Sequence, residues 1–348
     1  MEEFDVSIVI PVYGVEKYIE RCLNSVMRQD SKSMSLECIL VDDCSPDGSI
    51  KIAEKMIMNY SGGIRFEILR HEKNQGLSVA RNTGMRSAKG RFLFFIDSDD
   101  YITDDCIMNL YKKTRDFSDV EVVKGNHVGR IAINVSRIPS CPLNNDTLLN
   151  LLYMSVIPVM AWNTLIKRDV IQNNNLAFKP RLLYEDNLWS AQLFRHVKSF
   201  LFVPDTTYYY ESNNTSITGN GDAAIQAKAL PHFIIMVDNL INSYDKQHFI
   251  TYTFFIISRL MQMVDLILKD QNIDSNLVEI VLKQRNQLLR YTFQNRRFVL
   301  VLFELLLYFP LWNLMRFRLF RRYYDRVVIV VYRIALFFDF VHKSLVSR

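Results

Sequence analysis

The chain has few cysteines and none of the usual phosphate-binding loops. Its five cysteines (Cys22, Cys38, Cys44, Cys106 and Cys141) all lie in the first half of the 348 residues. They make no paired metal-ligand spacing, which argues against a zinc motif, and an odd count fits a reducing compartment. Neither G-x-G-x-x-G nor a P-loop occurs, and Tyr13-Gly14-Val15-Glu16 after the first apolar run is not such a loop. A charged diphosphate would therefore need a cation to hold it. No uninterrupted apolar stretch reaches 18 residues, so an ordinary spanning helix is not predicted. The acidic opening Met1-Glu2-Glu3-Phe4-Asp5 has no basic leader, so no secretory signal is expected. Internal repeats and low-complexity segments are missing as well.

What is present is a large stock of core-forming residues. Hydrophobic residues make up 49% and aromatics 12% of the chain, enough for one large domain or two. The net charge of +5 is unevenly spread. Residues 285–348 hold 12 Lys and Arg against 3 Asp and Glu, whereas the rest is slightly acidic. That basic excess sits among Leu, Phe, Tyr and Val.

The first hundred residues alternate strand-like and helix-like segments. Val6–Ile10, Leu36–Val41, Ile64–Leu69 and Arg91–Ile96 read as strands. Glu16–Met27, a segment capped by Asp47 or Ser49 and running through Met58, and Ser78–Ala88 read as helices. Such alternation predicts an α/β fold with a doubly wound, mostly parallel sheet. Ligands of such sheets lie beyond the carboxyl ends of the strands. Pro11-Val12-Tyr13, Asp42-Asp43 and Asp97-Ser98-Asp99 occupy that position on three strands. A less regular middle follows, with a helix expected at Thr147–Met154 and a strand near Phe200. After Asp222 the pattern becomes amphipathic helix, with Phe249, Thr253, Ile256, Leu260, Val264 and Ile267 on one stripe and Leu277, Val281, Leu282, Leu288 and Leu289 on another. Both stripes read as core.

The densest chemistry is Phe95-Ile96-Asp97-Ser98-Asp99-Asp100. If the strand continues, Asp97 and Asp99 point the same way, because side chains alternate with period two. Two crowded carboxylates repel, and a hard divalent cation, magnesium or manganese, relieves that repulsion. A solvated acidic turn before the next helix, with Asp104 and Asp105, is the other reading. Asp43 can accept from a base N–H, or belong to a turn and N-cap. Asn74 through Arg81 to Gly84 reads alone as a capped helix with an exposed arginine. Glu185-Asp186 beside Tyr184 suits a general base, or simply a helix start.

In order, these segments resemble the family 2 glycosyltransferases of the GT-A nucleotide-sugar fold. The resemblance covers about residues 4–218 and rests on Val6 through Tyr13, Glu37 through Asp43, Asn74 through Gly84, Phe95 through Asp100, and Glu185-Asp186. It implies an inverting, metal-dependent transferase with a nucleoside-diphosphate sugar, expected to be uridine-linked, as donor and a glycan or lipid-linked acceptor. Pro11, Tyr13 and Asp43 would hold the base, Asn74 and Arg81 the nucleotide or sugar, and Asp97 would lie near the ribose. Asp99, with Asp97, would bind manganese or magnesium, and Asp100 would be a weaker ligand. Asp186 would be the general base, with Glu185 orienting it or contacting the donor. After its tyrosine-rich strand the family often carries a basic residue, whereas this chain has Glu211 before Ser216 and Thr218.

The expected organisation is a catalytic domain over 1–221 (nucleotide half 1–105, acceptor half 106–221), a helical extension over 222–297, and an apolar, basic tail over 298–348. In the tail, Trp312, Met315, Leu319 and Tyr323 share one helical face and Arg318, Arg322 and Arg326 another. That division suits peripheral docking on an anionic membrane at its cytoplasmic face; buried helices covering the catalytic domain are the other reading. No nucleic-acid partner is expected. The rival functions are a non-catalytic scaffold on a transferase fold and a nucleotidyltransferase, the latter lacking its phosphate loop here.

Overall fold

The computed structural model describes residues 4–129, 135–211, 223–243, 245, 247–248, 251–253, 255–260 and 275–294. The chain divides into two compact units, Met1–Asn220 and Gly221–Arg348. Four parallel strands begin the first unit: β1 (Phe4–Val12), β2 (Leu36–Asp42), β3 (Arg65–Arg70) and β4 (Gly90–Phe95). Between them run α1 (Ile19–Met27), α2 (Ser49–Met58) and α3 (Leu77–Ser87). The largely apolar runs of β1 and β2, broken within their buried stretches only by Ser7 and Glu37, are buried as in a sheet covered on both faces.

The second half of this unit adds β5 (Tyr101–Ile102), α4 (Cys106–Asp116), β6 (Val122–Gly129), β7 (Leu143–Asn144), α5 (Asn145–Tyr153), β8 (Thr164–Lys167), α6 (Arg168–Asn173), α7 (Glu185–Leu193) and β9 (Ser199–Tyr210). The sheet order is β3-β2-β1-β4-β8-β6-β9-β5, with β7 on β9. β8 is antiparallel to both β4 and β6, so it joins the parallel half to the mixed half.

Two local features differ from the expected pattern. Helix α1 begins at Ile19 rather than Glu16, because Tyr18 and Ile19 first donate to the Val15 carbonyl in a tight turn. More consequentially, β4 ends at Phe95, and Asp97–Asp100 form a turn closed by the Asp100 amide on the Asp97 carbonyl at 3.0 Å. Strand alternation therefore does not orient Asp97 and Asp99. The turn does.

Helix α3 lies close on the sheet because Gly84 allows it. A Cβ there would meet Val9 Cγ1 at 2.3 Å, with Val41 Cγ2 at 3.4 Å. Gly84→Ala should therefore destabilise the protein by about 1–3 kcal/mol through overpacking. Chemical denaturation checks this, and an unchanged midpoint would mean that α3 has room to shift.

In the second unit, α8 (Ala223–Asn242) and α9 (Ser275–Gln294) meet where Gln284 Nε2 donates to the Ile234 carbonyl at 2.8 Å. Of the two apolar stripes, Thr253, Ile256, Leu260, Val281 and Leu288 are buried. Phe249, Val264, Ile267 and the side chains of Leu282 and Leu289 lie outside the described residues, as does the whole of 298–348. Among the described residues no helix is long and apolar enough to cross a membrane.

Candidate active site

The strand ends gather the residues singled out in the sequence. Pro11 is buried near the end of β1, and Tyr13 follows it with half of its surface (50%) exposed. Asp43, just past β2, is buried. Its Oδ1 accepts from the Gln75 amide at 2.8 Å and stands 2.6 Å from His71 Nδ1, while Oδ2 accepts from the Gly76 amide at 2.7 Å. Asp43 thus fixes the loop that carries the exposed Asn74 and leads into α3 through Gly76, whose φ of +90° suits glycine. His71 Nε2 stands 3.0 Å from Thr83 Oγ1, which ties this loop to α3.

Arg81 is the centre of the site. Helix α3 buries it to 1% exposure, against the Phe178 ring at 5.2 Å. Its Nη2 donates to Asp97 Oδ1 at 2.8 Å, and its Nη1 donates to Glu185 Oε1 at 2.7 Å and Asp186 Oδ1 at 3.0 Å. The turn after β4 and the first residues of α7, far apart in sequence, are thereby joined through one guanidinium. Arg81 Nε is buried without a partner. Burial opposes the Arg81 charge, yet Asp97, Asp186 and Glu185 outweigh it and hold the guanidinium pKa above its usual value.

Three carboxylates around one cation leave an excess of negative charge. Burial raises the pKa of Glu185, and the Asp186 charge adds to it while Arg81 opposes. Burial raises Asp186 as well, against Arg81 and a hydrogen bond from the Ala161 backbone. Tyr184, which precedes the pair, has a left-handed φ of +59°. Such backbone is uncommon for a bulky residue and aims the helix start that carries both acids.

Asp100 does a different job from its neighbours. It is buried, and it accepts from Tyr208 Oη at 2.6 Å and from the Glu211 amide at 2.8 Å. Burial, with the charges of Asp97 and Asp99, pushes its carboxyl up to about 9. It anchors the end of β9 through these two bonds. Tyr208 also accepts from the Asp97 amide at 3.2 Å and stacks on Trp162 with ring centres 4.4 Å apart. Glu211 pairs with Arg21 of α1 at 2.9 Å, and Arg21 Nη2 donates to the Asp99 carbonyl at 3.3 Å. A basic side chain thus stands beside the turn, supplied by α1 instead of by position 211.

The residues present fit a divalent cation. Asp97 Oδ1 is bonded to Arg81, which leaves Oδ2 for a metal, and the Asp99 side chain is partly exposed on the same turn. Among the described residues no group of three or more His, Cys, Asp or Glu is arranged to hold a metal ion by itself. A cation here would rest on one or two carboxylates and take its other ligands from water and phosphate, as magnesium-type sites do.

A family model described as Glycosyl transferase family 2 matches residues 7–173. Over that stretch, just under half of its length, the chain is similar to the family 2 glycosyltransferases. It is 28% identical over 223 residues to the uncharacterised glycosyltransferase EpsJ of Bacillus subtilis, covering 61% of this chain and 62% of that one. It is also 28% identical over 207 residues to the poly(ribitol-phosphate) beta-N-acetylglucosaminyltransferase TarS of Staphylococcus aureus, covering 59% of this chain and 35% of TarS. The match thus spans less than two thirds of either curated relative. The crystal structure of TarS 1–349 superposes with a TM-score of 0.63 at 19% identity, over 82% of this chain and 80% of that one. A mannosyltransferase of Pyrobaculum calidifontis, in complex with GDP-Man and Mn2+, superposes at 0.56 with 14% identity, over 97% of this chain and 88% of that one. At these identities the likeness is one of fold, and the fold is GT-A.

His71, Tyr208, Arg21 and Lys124, a buried residue of β6 that interacts electrostatically with Asp186, were not foreseen as members or neighbours of the site. His71 stands just past β3, so the strand-end rule that marked Asp43 could have found it. Nothing local marks the other three.

Proposed function

We propose that the protein transfers a sugar from a uridine-diphosphate donor to a hydroxyl of a glycan or lipid-linked acceptor, with inversion at the anomeric carbon. The observation that supports this most is the meeting of Asp97 with Glu185 and Asp186 on Arg81. On this reading a diphosphate-side acid and a base share one buried charge. TarS, whose fold this chain shares, has been crystallised with UDP-GlcNAc and with UDP, which favours a uridine donor.

Tyr13 offers an exposed ring to the base, over a floor that includes Pro11. Asp43 stands at the base N–H edge and holds the Asn74 loop in place. Asp186 takes the proton of the attacking hydroxyl, and Glu185 shares Arg81 with it and orients it. Asp99 and Asp97 would hold manganese or magnesium, which neutralises charge developing on the departing diphosphate. Arg81 keeps the two acidic groups at fixed separation, the positioning on which in-line displacement depends. The basic, apolar segment 298–348 fits peripheral docking on the cytoplasmic face of an anionic membrane, near a lipid-linked acceptor.

The test is a panel of UDP- and GDP-sugars, read by nucleotide release and by thermal shift with manganese. A UDP-sugar is expected to raise the melting temperature and to be turned over, and turnover is expected to stop in excess chelator. Asp99→Asn should weaken the apparent manganese affinity about tenfold, the loss of about 1.4 kcal/mol from one carboxylate ligand. Chelator-resistant turnover, or an unchanged manganese titration in the variant, would remove the metal from this reading.

A further inference from the structure

Lys124 is buried to 1% exposure on β6, in register with Thr164 of β8. A buried ammonium is costly unless its protons find acceptors. Here Nζ donates to the Met160 carbonyl at 2.7 Å, to Thr164 Oγ1 at 2.8 Å and to the Trp162 carbonyl at 3.3 Å. Its partners are backbone and hydroxyl oxygens, all from the stretch 160–164 that leads into β8. A lysine placed for solubility would not be buried, and one placed for packing alone would be an apolar residue.

The same stretch is held from helix α7. Ser190 Oγ donates to the Val159 carbonyl at 2.6 Å, and the Ala161 backbone hydrogen-bonds to Asp186. Lys124 and Asp186 therefore grip one short segment from two separate elements. Trp162, between those two grips, stacks on Tyr208, whose hydroxyl accepts from the Asp97 amide. The segment thus touches both halves of the acidic cluster.

We propose that Lys124 is a positioning residue for the transfer reaction: its ammonium fixes the 160–164 backbone so that Ala161 meets Asp186 in the geometry of a working base. This rests on Asp186 being that base. Burial pulls the Lys124 ammonium down to about 7 while the Asp186 charge opposes that fall, so Lys124 faces the carboxylates with its full positive charge only on the acidic side of neutrality. The other charged groups that face Asp186 are Arg81 from α3, Asp97 from the turn after β4, and Glu185 beside it on α7.

The experiment compares wild type with Lys124→Met, which keeps the length and apolar stem of the side chain but removes its charge and donors. Turnover of a UDP-sugar with manganese is measured across pH, alongside the thermal shift given by UDP. The variant is expected to lose about a hundredfold in kcat, the usual effect of a catalytic group misplaced by about 1 Å. Donor KM and the UDP-dependent shift are expected to stay within twofold of wild type. The acidic limb of the kcat profile is expected to move to higher pH, because Asp186 loses both an amide donor and a nearby positive charge. An unchanged kcat and limb, or a loss of donor binding that accounts for the lower rate, would overturn the proposal. Should Lys124→Met fail to fold, Thr164→Val removes one acceptor of the ammonium and is expected to lower kcat several-fold at constant KM; an unchanged kcat there overturns it equally. Full turnover in Asp186→Asn would overturn the base assignment and this proposal together, whereas a null result at Lys124 alone leaves the base standing.

Discussion

Asp186→Asn is expected to lower kcat by about a hundred- to ten-thousand-fold, the usual loss on removing a general base, with little change in donor affinity. The amide is nearly isosteric and can still face Arg81 through its oxygen, so the surrounding geometry should persist. Asp186 is proposed as the base in preference to Glu185 because its side chain keeps 18% exposure against 10% for Glu185. Both acids accept from Arg81 Nη1, the Glu185 contact being the shorter at 2.7 Å against 3.0 Å. Both acids have raised pKa values. Activity should therefore fall, as pH decreases, from a point above the ordinary carboxylate range, because a protonated base cannot accept. Steady-state kinetics on both variants across pH decide the assignment. A larger kcat loss in Glu185→Gln than in Asp186→Asn would exchange the two roles.

Arg81→Met is expected to destabilise the protein by about 3–5 kcal/mol, the range for removing one partner of a buried charge cluster. Asp97, Glu185 and Asp186 would then repel one another in a site that admits little water. The sign with pH follows from linkage. Without Arg81 the folded-state pKa values of Glu185 and Asp186 rise further above their unfolded values, so the variant keeps its stability at low pH and loses it as pH rises through those values. The gap in melting temperature between variant and wild type should therefore widen from pH 5 to pH 8. A gap independent of pH would mean that Arg81 acts through its packing on Phe178 and not through its charge. Arg81→Lys should recover only part of the loss, since an ammonium cannot span acids that the guanidinium meets through two separate nitrogens.

The parallel half of the fold was legible because β1, β2 and β4 are buried on both faces and read as largely apolar runs between helical segments. The positions of Asp43 and of the Asp97 turn followed from the rule that ligands meet strand ends. The role of Arg81 was less legible. On its own helix it looks like an exposed arginine, and its burial depends on Glu185, 104 residues away. Alternation could not foresee that β4 stops at Phe95, because Ile96 is as apolar as the strand before it. Lys124 lay hidden for the opposite reason. A lysine in a short mixed strand reads as a surface residue until β8 and β9 close over it.

One guanidinium shared by three acids also bears on how such a site can diverge. The acids outnumber their counter-charge, so replacing one of them with an amide relieves repulsion instead of stranding a cation. The fold then exerts no selection to keep the full acidic set; only the reaction does. Loss of an acid at 97, 185 or 186 would leave a well-folded and even sturdier protein, the familiar exchange of activity for stability. Loss of Arg81 would cost stability along with the chemistry. Descendants that abandon catalysis should therefore shed acids first and keep the arginine longest.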